Sequence, residues 1–143
     1  MKDYNNLRLD NQLCFSLYAL SREIIKLYKP LLDELDLTYT QYIVMLVLWE
    51  EKKASVKQIG NRLHLDSGTL TPLLKKLEAM EFIKRYRDKS DDRVVIAELT
   101  DKGASLQEKA REIPNNVLCN IKLTSERALD LKKSLDEVLE NLE

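Results

Sequence analysis

Residues 82–100, FIKRYRDKSDDRVVIAELT, constrain the fold of this chain more than any other stretch. Two runs, IKRYR and VVIAEL, favour strands, and KSDD between them suits a turn, so the stretch predicts a β-hairpin. The sequence on either side follows a helical rhythm. Leu13, Leu17, Leu20, Ile24 and Leu27 share a helical period. Asp10 is placed to cap that helix, Pro30 to kink or end it, and LLDELD to add a short continuation. Thr38 caps TYTQYIVMLVLWEE, which is apolar on nearly every side and therefore buried. Ser55 opens a shorter helix, SVKQIGNRLHL. In LDSGTLTPLLKKLEAM, Leu70, Leu73, Leu74, Leu77 and Met80 fall on one face. Thr100 caps TDKGASLQEKA, which Pro114 interrupts before VLCNIKL, and SERALDLKKSLDEVLENL forms a last amphipathic helix.

The order is helix, helix, short helix, helix, hairpin, long helix, helix. It predicts a mainly α protein of one domain. A winged helix-turn-helix over approximately 37–100 lies between long N- and C-terminal dimerisation helices at approximately 8–36 and 101–143. The terminal helices carry more apolar surface than the small middle module can cover, which points to a homodimer.

Composition narrows the function. The 143 residues include three Gly and three Pro, a low count that suits helix. No apolar run is long enough to span a membrane, and MKDYNNLRLDNQ is not a signal peptide, so a cytoplasmic protein is expected. One His and two Cys without a paired motif argue against structural zinc, and no cofactor is expected. Two cysteines in a reducing compartment argue against a permanent disulfide. Residues 52–93 hold eleven Lys/Arg against six Asp/Glu, net +5, so the remainder of this −1 chain carries −6. A basic middle between acidic ends suits a nucleic-acid module, although a solvated charged face has the same look.

The helix that starts near Ser67 opens with small hydroxyl residues, Ser67, Thr69 and Thr71. Such side chains reach phosphate oxygens and base edges, and free N–H groups at a helix start favour phosphate. Lys75 and Lys76 add phosphate contacts. Asp66 or Ser67 also serves as a plain cap, and Pro72 fits best if helical geometry begins near Thr69. At the hairpin tip, Arg93 can enter a narrow minor groove, with Asp91 or Asp92 holding its guanidinium; an Arg at such a tip is otherwise simply solvated.

LDSGTLTPLLKKLE followed by KSDDRVVIAELTDKG resembles the MarR family of dimeric winged-helix transcription regulators, through Asp91, Arg93, Leu99 and Thr100 of the wing pattern. LDNQLCFSLY resembles the branch of organic hydroperoxide resistance regulators (OhrR). The resemblance implies a homodimeric repressor on an inverted-repeat operator in double-stranded DNA, and a cysteine in the first helix that senses oxidant. Cys14 lies close to the start of its helix, where the dipole favours the thiolate that attacks a peroxide O–O bond. Tyr18, Tyr28 and Tyr39 are available as phenolic donors. In the resembling branch, the tyrosines that correspond to Tyr28 and Tyr39 reach the cysteine from the other subunit. Cys119 matches the relatives in which a second cysteine, in the long helix after the wing, resolves the sulfenic acid as an intersubunit disulfide. From the residues alone, Cys14 reads by default as an inert buried thiol and the tyrosines as helix packing, and Cys119 reads equally as a core residue beside Val117, Leu118 and Ile121.

These readings converge on a repressor that releases DNA when an organic hydroperoxide oxidises Cys14. The competitors are a MarR-type regulator that binds a phenolic or lipophilic effector non-covalently, and a thiol peroxidase. The enzyme reading suffers from the lack of an Arg or His local to Cys14 and would leave the DNA module idle.

Overall fold

The structure is a computed structural model that describes all 143 residues. They form two compact units, Met1–Arg111 and Glu112–Glu143. No helix is long and apolar enough to cross a membrane.

The first unit begins with two short 3-10 turns, Asn5–Leu7 and Leu9–Asn11, followed by α1, Leu13–Asp33. Asp10 is not the cap of α1: it sits in the second turn, and Gln12 occupies the cap position without a side-chain cap bond. The Gln12 amide points back instead and donates to the Asn6 and Arg8 carbonyls at 2.8 Å each. Pro30 does not end the helix, which continues to Asp33. Pro30 is exposed and three residues from the last residue of the helix, so it costs one helical bond, to the Lys26 carbonyl, close to the end.

Helix α2, Tyr39–Glu51, starts on a full capping box: Gln41 N–H donates to Thr38 Oγ1, and Thr38 N–H donates to Gln41 Oε1. It buries Tyr42, Val44, Met45, Val47, Leu48 and Trp49, although Leu46 stays exposed. Ser55 and Gln58 repeat the capping box at α3, Val56–Leu63. His64, in the left-handed region at φ 56°, closes α3. A Cβ on Gly60 would stand 2.7 Å from the Leu65 carbonyl oxygen, so the helix-turn-helix corner is as tight as glycine permits.

Helix α4 spans Ser67–Ala79. Its cap is Asp66, whose Oδ1 accepts the Thr69 N–H at 2.7 Å. That cap starts the helix before Thr69, so Pro72 lies at the sixth helical residue rather than in the first turn. The Gly68 carbonyl is the group that loses a helical donor there. Leu70, Leu74 and Leu77 are fully buried, each contributing about 2 kcal/mol; Leu73 and Met80 are only partly covered.

The hairpin forms as read, β2 at Ile83–Arg87 and β3 at Val95–Leu99, with Ile83 opposite Leu99 and Arg87 opposite Val95. The wing is not two-stranded, however. Lys53–Ser55 adds β1 antiparallel to β3, with sheet order β1-β3-β2. Helix α5, Asp101–Ala110, is capped by Thr100.

In the second unit, α6 is Ile113–Ile121, with Pro114 in its first turn, where a missing N–H is harmless. The helix after the wing is therefore two helices, and Cys119 belongs to the separate second one. Helix α7, Ser125–Leu142, is capped by Thr124.

Candidate nucleic-acid interface and thiol site

Ser67, Gly68 and Thr69 form the exposed first turn of α4; Thr71 is half-buried. Lys75 and Lys76 are exposed two turns on and make no ion pair. The Asp66 carboxyl is held below its usual range by hydrogen bonds, chiefly from Thr69, so the cap stays ionised well into acid. An Asp66→Ala substitution should lower stability, read as an earlier urea-unfolding midpoint at pH 7. Because the folded carboxyl is depressed, the Asp66 contribution should be fully present above the ordinary carboxylate pKa and fade as pH falls through the lowered one.

The wing tip is a built structure. Asp91 Oδ1 accepts from Arg93 Nε at 3.0 Å and from the Arg93 backbone N–H at 3.1 Å, while Oδ2 accepts from Nη2 at 3.1 Å. The Arg93 side chain is nevertheless 90% exposed. The Arg93 hydrogen bonds hold the Asp91 carboxyl below its usual range. A bidentate pair thus fixes the direction of a guanidinium that still faces solvent. Asp92 does not hold Arg93; its carbonyl accepts from Arg87 Nη1 at 2.9 Å.

One pair that the sequence reading missed joins α4 to the wing. Glu78 in α4 accepts from the Arg85 backbone N–H at 3.2 Å and from Arg85 Nη2 at 3.1 Å. Nothing in the periodicity of α4 or β2 marks these two residues as partners. Arg62 of α3 likewise pairs with Glu50 and Glu51 at the end of α2.

Cys14 is the second residue of α1 and is exposed, which removes the reading of an inert buried thiol within this chain. No side chain caps this helix start, so the first-turn N–H groups remain available to a thiolate. Tyr18 lies one turn further on the same face. Arg22 donates to its hydroxyl at 3.2 Å, with the guanidinium 5.6 Å from the ring centroid.

Tyr28 and Tyr39 meet each other, with ring centroids 4.9 Å apart. A third tyrosine, Tyr42, completes the cluster at 5.7 Å from Tyr28 and 6.2 Å from Tyr39. Burial, joined by repulsion from Tyr39 and Tyr42, pushes the Tyr28 phenol up to about 12. Burial also raises Tyr39. These phenols are neutral hydrogen-bond donors at physiological pH. The structure does not bring Cys14 to them within one chain: fourteen residues of helix separate Cys14 from Tyr28, about 21 Å along the axis. An apolar cleft lined by Ile25, Leu32, Leu37 and Tyr39 holds about 220 Å³, less than the roughly 300–1,000 Å³ of ordinary ligand pockets. In the second unit, Cys119 is exposed near the end of α6, next to exposed Leu118.

A family model described as transcriptional regulator SarA/Rot matches residues 26–110. The organic hydroperoxide resistance transcriptional regulator of Bacillus subtilis (strain 168) is 49% identical over 139 residues, covering 97% of this chain and 95% of that one. Among solved structures, reduced AbfR bound to DNA is similar with a TM-score of 0.79 at 39% identity over 96% of each chain. Disulfide-formed AbfR gives 0.68 at 39% identity over 94% of each chain. AbfR is a protein of Staphylococcus epidermidis.

Proposed function

Because the chain belongs to the MarR family of winged-helix transcriptional regulators, in the branch of the organic hydroperoxide resistance regulator, we propose that it is a dimeric repressor released from DNA by oxidation of Cys14. The observation that carries this reading is the exposed thiol in the uncapped first turn of α1, on a chain with a built helix-turn-helix and wing.

DNA recognition falls to the first turn of α4 in the major groove and to Arg93 of the wing in the minor groove, with Lys75 and Lys76 on phosphates. That the similar AbfR is bound to DNA supports the DNA-binding part of this reading. Arg93→Ala should weaken operator binding about tenfold and lower the slope of log affinity against log salt by about one, because one cationic contact is lost. A salt titration by fluorescence anisotropy reads both; an unchanged slope would remove the wing from the interface.

A second copy of the chain completes the sensor. Leu13, Leu17 and Leu20 of α1 are exposed, an apolar face that pairing would cover. Cys14 and Tyr28 lie about 21 Å apart along the axis of α1, so Tyr28, with Tyr39 packed against it, reaches a thiol of the other subunit rather than its own. There they donate to the thiolate and make its surroundings apolar, which favours an organic hydroperoxide.

In the redox step, the Cys14 thiolate attacks the terminal peroxide oxygen. An S–O bond forms, the O–O bond breaks, and the alkoxide leaves and takes a proton to become an alcohol. The sulfur loses two electrons and the peroxide gains them. The Cys119 thiolate of the partner subunit then attacks the sulfenic sulfur, forming S–S and expelling hydroxide, which leaves as water. Disulfide-formed AbfR supports such a step, and the present structure is more similar to the reduced, DNA-bound form than to the disulfide form.

Peroxide-treated protein should run as a covalent dimer on a non-reducing gel and revert with dithiothreitol. Cys119→Ser should still react at Cys14 but give no covalent dimer, and excess peroxide should drive it to sulfinic acid, which reductant does not reverse. A free Cys119 thiol in fully released wild type would overturn the resolving role.

A further inference from the structure

We propose that Tyr42 and Trp49 are positioning residues that couple the sensor tyrosines to the base of the wing. The inference rests on the reading that Tyr28 and Tyr39 face Cys14.

Tyr42 is 2% exposed and touches both sensor rings. On its other side it meets Trp49, two turns further along α2, edge-on at 6.3 Å and 69°. Trp49 is buried as well, and its Nε1–H donates to the Gly103 carbonyl at 2.9 Å. That bond spans 54 residues and links α2 to the first turn of α5.

Gly103 stands where the wing is rooted. Its N–H donates to Thr100 Oγ1 at 3.1 Å. Thr100 in turn donates its hydroxyl to the Glu81 carbonyl at 2.6 Å and its N–H to the Phe82 carbonyl at 3.1 Å. Glu81 and Phe82 lie between the end of α4 and the start of β2, and Thr100 directly follows β3. Both ends of the hairpin therefore close on the turn that Trp49 holds.

A displacement of Tyr28 or Tyr39 toward Tyr42 presses on a side chain that is itself buried and in ring contact with Trp49. It passes to Trp49, and from the indole N–H to the wing root. The direction of Arg93 relative to α4 is what this line would change.

The chain contains a single tryptophan, so one biosynthetic replacement alters this position alone. Full-length protein carrying benzothienylalanine at position 49 keeps the ring shape but has sulfur in place of the indole N–H. Its operator affinity is compared reduced and after cumene hydroperoxide, with intact mass reporting Cys14 in each sample. The reduced form should bind within about threefold of wild type, and the reduced-to-oxidised affinity ratio should fall at least about threefold. In wild type, Trp49 emission should change on oxidation, and the change should be missing in Cys14→Ser. If the analogue protein does not fold, this emission change decides alone. An unchanged ratio, or indole emission that ignores oxidation, overturns the coupling role when Cys14 is oxidised and wild type is released. If oxidised wild type stays on DNA, the sensor reading itself fails, and this inference falls with it.

Discussion

The Cys14→Ser protein is expected to bind operator with wild-type affinity and to remain bound at hydroperoxide concentrations that release wild type completely. Serine keeps the size and exposure of the side chain at the second position of α1, so neither the fold nor the helix-turn-helix and wing should change. A hydroxyl cannot become a sulfenic acid, so the two-electron step is lost outright rather than slowed. The effect should be all-or-none in a band-shift with and without cumene hydroperoxide. Release of this variant at the wild-type dose would assign sensing to another group, with Cys119 the first to test.

The largest effect on stability is expected at Gly103. A Cβ there would lie 2.2 Å from the Phe82 carbonyl oxygen and 2.9 Å from Leu99 Cδ1. The nearer obstacle is backbone, and it is already fixed by the Thr100 N–H at 3.1 Å. Phe82 cannot retreat without releasing the turn that closes the hairpin. Gly103→Ala should therefore cost about 3 kcal/mol and lower Tm by about 10 °C. Calorimetry checks it, and a Tm within about 2 °C of wild type would mean that the junction gives more than its bonding suggests. Operator affinity should fall as well, because the wing is rooted there.

The readable parts of the fold were those set by neighbours in the chain. Thr38, Ser55 and Thr100 could be placed as caps because the group each one accepts lies three residues on. The hairpin was legible because its strands are adjacent. Strand β1 was not, since KAS has no strand pattern of its own and is extended only because β3 supplies its partner. Asp10 was a reasonable cap by residue type, but the backbone enters two 3-10 turns first and leaves that position to Gln12. Pro72 misled because propensity favoured a late start, whereas the Asp66 cap fixes an early one.

At the site, residue types were visible and partnerships were not. The bond between Asp91 and Arg93 could be read because they are two residues apart. Glu78 with Arg85 and Trp49 with Gly103 are tertiary pairings that no local pattern announces. Tyr42 looked like ordinary core on a helix apolar all round, and only the ring geometry sets it beside Tyr28 and Tyr39. The apolar period of α1 looks the same whether its face packs within the chain or not; the exposure of Leu13, Leu17 and Leu20 shows that its first turns do not pack within the chain.

Titrating the operator complex with cumene hydroperoxide, in steps below one equivalent per chain, decides whether oxidation of Cys14 is what releases DNA. Anisotropy reports the bound fraction, and peptide mass reports the oxidation state of Cys14 and Cys119 in the same samples. Released DNA should rise with the fraction of oxidised Cys14 and reach completion near one equivalent, with one molecule of alcohol formed per Cys14 oxidised. Complete release with Cys14 still a free thiol, or quantitative oxidation of Cys14 with the complex intact, would contradict release by Cys14 oxidation.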